Sequence, residues 1–163
     1  MGMVELEWSD GLVEEARRTR DEVAAVLASR GVPGELVLTG GASVPGALTK
    51  GDVDLHLRVA PEAFADVVAR LRKLYPVASA TAWAATLAVF EVPGTRPTGL
   101  AVTPVHSEHD ERFCLTWAAL RRSPELLAQY NALKSSSAGT EHYEQRKSSF
   151  FTSVSGRRAA GDP

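Results

Sequence analysis

The chain has 163 residues, a formal charge of −2 and a single cysteine. That length favours one domain with room for a core, and the near-neutral balance lacks the basic footprint expected of a nucleic-acid partner; the cations crowd only locally, at Lys134, Arg146, Lys147, Arg157 and Arg158. Cys114 alone can form no intrachain disulfide, no run approaches the roughly 18 apolar residues of a membrane span, and the acidic start MGMVELEWSD does not read as a signal peptide, so a soluble, cytoplasmic protein with no membrane partner is expected.

Residues 10–30 predict a helix, with Leu12, Ala16, Val23, Val26 and Leu27 on one stripe and Gly31 as the stop. VPGE is a turn, and 35–40 is a short apolar strand ending in glycines. Residues 51–59 alternate: Val53, Leu55, Leu57 and Val59 face one way, and Asp52, Asp54, His56 and Arg58 the other. Pro61 opens a helix through Leu74 that buries Phe64, Val67, Val68 and Leu71. Strands are predicted at 84–92 and 100–105, antiparallel to each other, with Pro104 at a strand end or on an edge strand.

The last third reads as helical. Ser107 with Asp110 and Glu111 marks one start, and Ser123-Pro124-Glu125 a second. A third helix is predicted from near Thr140, carrying Tyr143, Lys147 and Phe150, with a flexible tail beyond residue 155. The fold class is therefore α+β: a small mixed sheet flanked by helices, in one domain over 1–155.

The strongest chemical constellation is Gly40-Gly41, ten residues, then Asp52-Val53-Asp54. Adjacent glycines let backbone amides approach a phosphate, and Ser43 could add a hydroxyl. Two aspartates on one strand face, roughly 7 Å apart by strand rise, can share Mg²⁺ or Mn²⁺, which favours oxygen ligands and the phosphates of a substrate. The bland alternative is a solvated polar strand face. His56 shares that face and reads as a metal ligand, a general base or an ordinary surface histidine. Lys50 precedes the aspartates; Arg96 follows a Pro-Gly turn and could reach phosphate by its planar fork. Tyr143 and Lys147 share a helix face. His106 to Asp110 reads as a capped helix start, and Cys114 as a packing residue.

The stretch Gly40 to Asp54, ending its loop in Val44-Pro45-Gly46 and Lys50, resembles the GrpB-like family of the polymerase-beta-like nucleotidyltransferase superfamily. So do, in order, Val92-Pro93-Gly94-Thr95-Arg96, Ser123-Pro124-Glu125-Leu126, Tyr130 with Leu133-Lys134, and Tyr143 with Lys147 and Phe150. The resemblance spans nearly the whole chain. It implies a nucleotidyltransferase fold and a metal-dependent enzyme that transfers a nucleotidyl group from a nucleoside triphosphate, with ATP expected, to a small-molecule acceptor, carboxylate activation included. The alternative is a non-catalytic member that binds a nucleotide or ligand.

By the same resemblance Gly40, Gly41, Ser43, Lys50, Arg96, Lys134 and Lys147 would hold the nucleotide. Asp52 and Asp54 would hold the metal. The superfamily's third carboxylate would be Glu91, which reads equally as an exposed charge at a strand end. The chain departs from the family at two places. Gly51-Asp52 replaces a proline and an apolar residue, restoring the paired aspartates. Leu100-Ala101-Val102 stands where the family carries an H-x-H pair.

Overall fold

A computed structural model describes residues 5–137 and 143–159. Its centre is a four-stranded sheet of β2 (Glu35–Thr39), β4 (Val53–Val59), β6 (Thr98–Pro104) and β5 (Ala88–Val92), in the order β2-β4-β6-β5. β2 pairs antiparallel with β4, β4 parallel with β6, and β6 antiparallel with β5. A parallel pair needs a crossover, and the segment carrying α2 (Phe64–Leu74) supplies it before β5 returns along the edge. Pro104 ends β6 but that strand is central, so the edge reading of this proline is corrected. Its position costs nothing in the ladder because it is the last residue. A second ladder, β1 (Glu7–Trp8) with β3 (Leu48–Thr49), was not legible in two-residue stretches.

The alternation of apolar and polar residues in β4 divides the molecule. Val53, Leu55, Leu57 and Val59 pack with Phe90, Val92, Leu100 and Val102 against α1 (Val13–Ser29) and α2. Leu12, Ala16, Val23 and Leu27 are all buried, as their helical spacing demands, while Val26 stays exposed. In α2, Val67 and Leu71 are fully buried and Phe64 and Val68 pack against the same cluster. Emptying a site such as Leu55 would cost about 2–5 kcal/mol.

The opposite face carries Asp54, His56 and Arg58 on β4, Gly99, Ala101 and Thr103 on β6, and Val89 and Glu91 on β5. It is covered by α3 (Glu108–Arg122), α4 (Pro124–Ser137) and α5 (Tyr143–Ala159). Ser107 caps α3 by accepting from the Asp110 amide at 3.3 Å, and Ser123 caps α4 from Leu126 at 3.2 Å, as their sequence signatures predict. These helices form a second core of Trp117, Leu120 and Tyr130 with Val44 and Ala47 of the β2–β3 loop. Asn131 fixes that loop by accepting from the Leu48 amide and donating to the Gly46 carbonyl, both at 2.9 Å. α5 stays helical to Ala159, past the residue where a tail was predicted. The predicted helix start near Thr140 and the side chain of Tyr143 lie outside the described residues. Among the described residues, no helix is long and apolar enough to cross a membrane.

Candidate functional site

The site begins where β2 stops. Gly40 has φ +72° and ψ −170°, a region open almost only to glycine. A Cβ there would collide with the Asp54 carboxylate and lie 2.8 Å from the Asp54 Cβ. Gly41 is also tightly packed: its Cβ would lie 3.3 Å from Thr49 Cβ and 3.5 Å from the Tyr130 hydroxyl. Both glycines are buried, so close packing requires them before any phosphate does. The Ser43 hydroxyl is engaged too. It donates to the Gly40 carbonyl at 2.7 Å and accepts from Arg121 at 3.1 Å. Ser43 thus braces the turn, and Arg121, which sequence reading missed, is the cation at this loop.

Asp54 lies on β4 opposite Thr39 of β2, and Asp52 just precedes the strand. Burial raises the Asp54 pKa; Lys147, Lys134 and Lys50 pull it back, and the charge of Asp52 adds to the rise. Lys50 Nζ is 3.5 Å from Asp52, an exposed pair of small energetic weight. Lys134 is buried, and burial together with Lys147 pushes its pKa down to about 8, against the pull of Asp54. Its ammonium sits 5.4 Å from the centre of the Tyr130 ring, and that of Lys147 5.8 Å from the Phe151 ring. Five of the predicted residues, Asp52, Asp54, Lys50, Lys134 and Lys147, are therefore brought together from a loop, a strand and two helices.

Three others take different partners. His56 shares the face of Asp54 but α3 closes over it, leaving it 1% exposed. It bonds Thr103 at 2.7 Å and meets the Phe113 ring edge-on at 5.4 Å. Burial lowers its pKa to about 4, so it is a neutral, packed imidazole bonded to Thr103 rather than a surface histidine. Arg96 donates to Glu15 at 2.8 Å and lies 3.8 Å from Glu7, under the Gly51 turn. It ties that turn, which lies between Lys50 and Asp52, to α1 through Glu15. Glu91 is exposed, and its register partner is Gly99, which is also the partner of Asp54. One whole strand separates the two carboxylates, about 10 Å of sheet. The intervening strand, where a third carboxylate would sit, offers only glycine.

Beyond His56 lies a pair that sequence reading missed. Arg58 grips the buried Asp110 with two bonds, 2.7 and 2.9 Å. Burial pushes the Asp110 pKa up, but Arg58 and the His106 amide outweigh it and hold the carboxyl below its usual range. His56, Asp110 and Cys114 are the one group of three possible metal ligands that meet within 4.8 Å among the described residues. Both Asp110 oxygens already serve Arg58, and burial raises the Cys114 thiol pKa. The cluster is a pin holding α3 to the sheet, its donors occupied.

The mixed sheet with helices on both faces and an aspartate pair at one strand end define a nucleotidyltransferase-like fold. The Cid1 poly(U) polymerase, solved with MgGTP, matches it with a TM-score of 0.51 at 15% identity, over 75% of this chain and 41% of that one. The family model described as GrpB protein matches residues 5–157, and the chain belongs to the GrpB family. The conserved protein GrpB from Enterococcus faecalis has the same fold, with a TM-score of 0.72 at 14% identity over 94% of this chain and 96% of that one. A UPF0157 protein, VC_A0354 of Vibrio cholerae, is 31% identical over 144 residues, 86% of this chain and 74% of that protein.

Proposed function

We propose that the protein is a metal-dependent nucleotidyltransferase that moves a nucleotidyl group from a nucleoside triphosphate, ATP by expectation, to a small-molecule acceptor. The observation that carries this reading is the convergence of Asp52 and Asp54 with Lys50, Lys134 and Lys147. Two carboxylates and three ammonium groups match a triphosphate with a divalent cation better than either partner alone.

The donor set suits Mg²⁺ or Mn²⁺: two carboxylates supply hard oxygen ligands, and such cations take the remainder from water and phosphates. Asp52 and Asp54 would hold it, and when bound it would neutralise charge on the transferring group. Lys134 and Lys147 would orient the triphosphate and stabilise the departing pyrophosphate. The Gly40–Ser43 turn, braced by Arg121, keeps Asp54 in place. The acceptor atom bonds to the α-phosphorus, the bond from that phosphorus to the β-bridging oxygen breaks, and pyrophosphate leaves.

A second reading, nucleotide binding without turnover, has its own observation: Gly99 occupies the strand position beside Asp54 where a third carboxylate would complete the site. Mg²⁺-dependent ATP binding and pyrophosphate release, measured in wild type, Asp52→Asn and Asp54→Asn, separate the two. Transfer predicts binding and release in wild type and loss of release in both variants. Binding with no release under any acceptor supports the second reading. Nucleotide binding indifferent to both substitutions and to Mg²⁺ overturns the site itself.

A further inference from the structure

The function proposed above, on which this inference rests, places a metal and a triphosphate at the aspartates but not the nucleobase. One space beside Asp54 is a cavity of about 190 Å³, over Gly99 and Ala101 of β6 and walled by Phe113, Trp117 and Phe151. Its hydrogen-bonding side chains are Thr39, Asp54, Lys147 and the Trp117 indole. The two charged ones serve the metal and the triphosphate in that reading. A base enclosed there would lose water from most of its ring nitrogens and exocyclic groups and gain too few partners in return, which is costly.

Trp8 offers an open surface instead. It is 58% exposed, the most exposed large hydrophobic side chain among the described residues. The β1–β3 ladder sets Trp8 opposite Leu48 and Glu7 opposite Thr49. Opposed residues share a face and successive ones alternate. Thr49 is buried on one face, against Gly41, and on that face Glu7 approaches Gly51 and Arg96. Trp8 and Leu48 take the other. Lys50, two residues beyond Leu48, follows them there as the diagonal neighbour of Trp8, roughly 7–8 Å away and within reach of an aromatic ring. Lys50 Nζ in turn is 3.5 Å from Asp52. The ladder is braced: Glu7 lies 3.8 Å from Arg96, the Ser9 hydroxyl donates to the Val44 carbonyl at 2.6 Å, and Asn131 holds Leu48 one turn before Lys134 on α4. The indole is thus an exposed ring on a fixed backbone, beside the cation that meets Asp52, and such preorganisation favours binding.

We propose that Trp8 is the nucleobase platform. The base stacks on the exposed indole, the triphosphate lies along Lys50 and the two aspartates, and the polar edges of the base stay in water. Stacking reads the π-face that every base has, so different nucleoside triphosphates bind with similar affinity.

Mg–ATP, Mg–GTP and Mg–tripolyphosphate are the probes, titrated into the whole protein and read by calorimetry. Trp8→Ala is expected to weaken both nucleotides by about tenfold and to leave tripolyphosphate unchanged, while Trp8→Phe keeps most of the affinity. Wild type should bind ATP and GTP within about fivefold of each other. Nucleotide should also quench a share of the tryptophan emission that Trp8→Phe removes, leaving the signal of Trp83 and Trp117. Ala101→Leu, which fills the cavity, should bind ATP as wild type does. Unchanged ATP affinity in Trp8→Ala, or an equal loss of ATP and tripolyphosphate, overturns the platform. So does a preference between ATP and GTP beyond about tenfold, the mark of a base read by its edges. Binding of nucleotide that depends on Trp8, with no pyrophosphate release, sustains the platform while overturning transfer. Pyrophosphate release with ATP binding indifferent to Trp8 overturns the platform alone.

Discussion

Replacing Gly40 by alanine tests the join between loop and strand. Two separate costs follow from the geometry. The backbone at φ +72° and ψ −170° is strained for any residue with a Cβ, at about 1–3 kcal/mol. The new methyl also overlaps the Asp54 carboxylate and comes within 2.8 Å of its Cβ, an overpacking cost of about 1–3 kcal/mol. Together they reach roughly 2–6 kcal/mol, a large part of a typical domain's stability. Urea unfolding of Gly40→Ala, Asp54→Gly and the double variant forms a cycle that separates the two costs. Asp54→Gly removes the overlap; Asp54→Ala would not, because the Cβ contact stays. A favourable coupling of about 1–3 kcal/mol between the two substitutions is expected, with the backbone cost remaining in the double variant. A Gly40→Ala protein within about 0.5 kcal/mol of wild type, or a coupling near zero, would refute the close approach of Gly40 to Asp54.

Further outcomes follow from the buried charges. The folded His56 pKa, about 4 against 6.5 for the free side chain, is depressed, so the unfolded chain takes up the proton first as pH falls. Stability should therefore drop between pH 6.5 and 4, by about 3 kcal/mol in all, and His56→Gln should flatten that part of a pH-dependent unfolding series. Lys134, with its pKa lowered to about 8, is charged below that pH and neutral above it. ATP affinity should weaken several-fold from pH 7 to 9, roughly the effect of one lost charge contact, and Lys134→Arg should make titration calorimetry curves pH-independent over that range. Arg58→Met strands the buried Asp110 carboxylate and should destabilise by about 3–5 kcal/mol in denaturant melts. Adding Asp110→Asn should recover part of that loss.

The core face of the sheet was plain in the alternation of Val53 to Val59, because a strand's two faces follow from its period. What covers the other face was not. Asp52, Asp54, His56 and Arg58 look alike along the chain, yet α3 closes over His56 and its Asp110 takes up Arg58, while Asp54 borders a cavity. That outcome depends on Asp110, 52 positions from Arg58, and no local pattern links them. Asp110 was visible only as part of a helix start, which it also is. Lys134 and Lys147 came into view through family resemblance, since a lysine beside an aromatic residue is ordinary on any helix. Arg96 and Glu91 carried the same kind of signal; the fold pairs Arg96 with Glu15 beside the Gly51 turn and leaves Glu91 in an exposed row one strand from Asp54. The cavity over Gly99 and Ala101 left no readable trace in the sequence, because a missing side chain has meaning only once its neighbours are known.

The helical third supplies both apolar cover and countercharge, and this bears on how the chain is made. A ribosome releases the whole sheet, Asp52 and Asp54 included, before it reaches Lys134 or Lys147. Until then the aspartates have only Lys50 beside them, and the cluster around Val44 and Ala47 still lacks Phe150 and Phe151 of α5. Domains generally fold as units, and here the boundary of the unit lies beyond Phe151 rather than at the end of the sheet. A chain stopped at Ser123 is expected to bind hydrophobic dye and to unfold without a sharp transition, whereas a self-sufficient sheet domain would melt cooperatively.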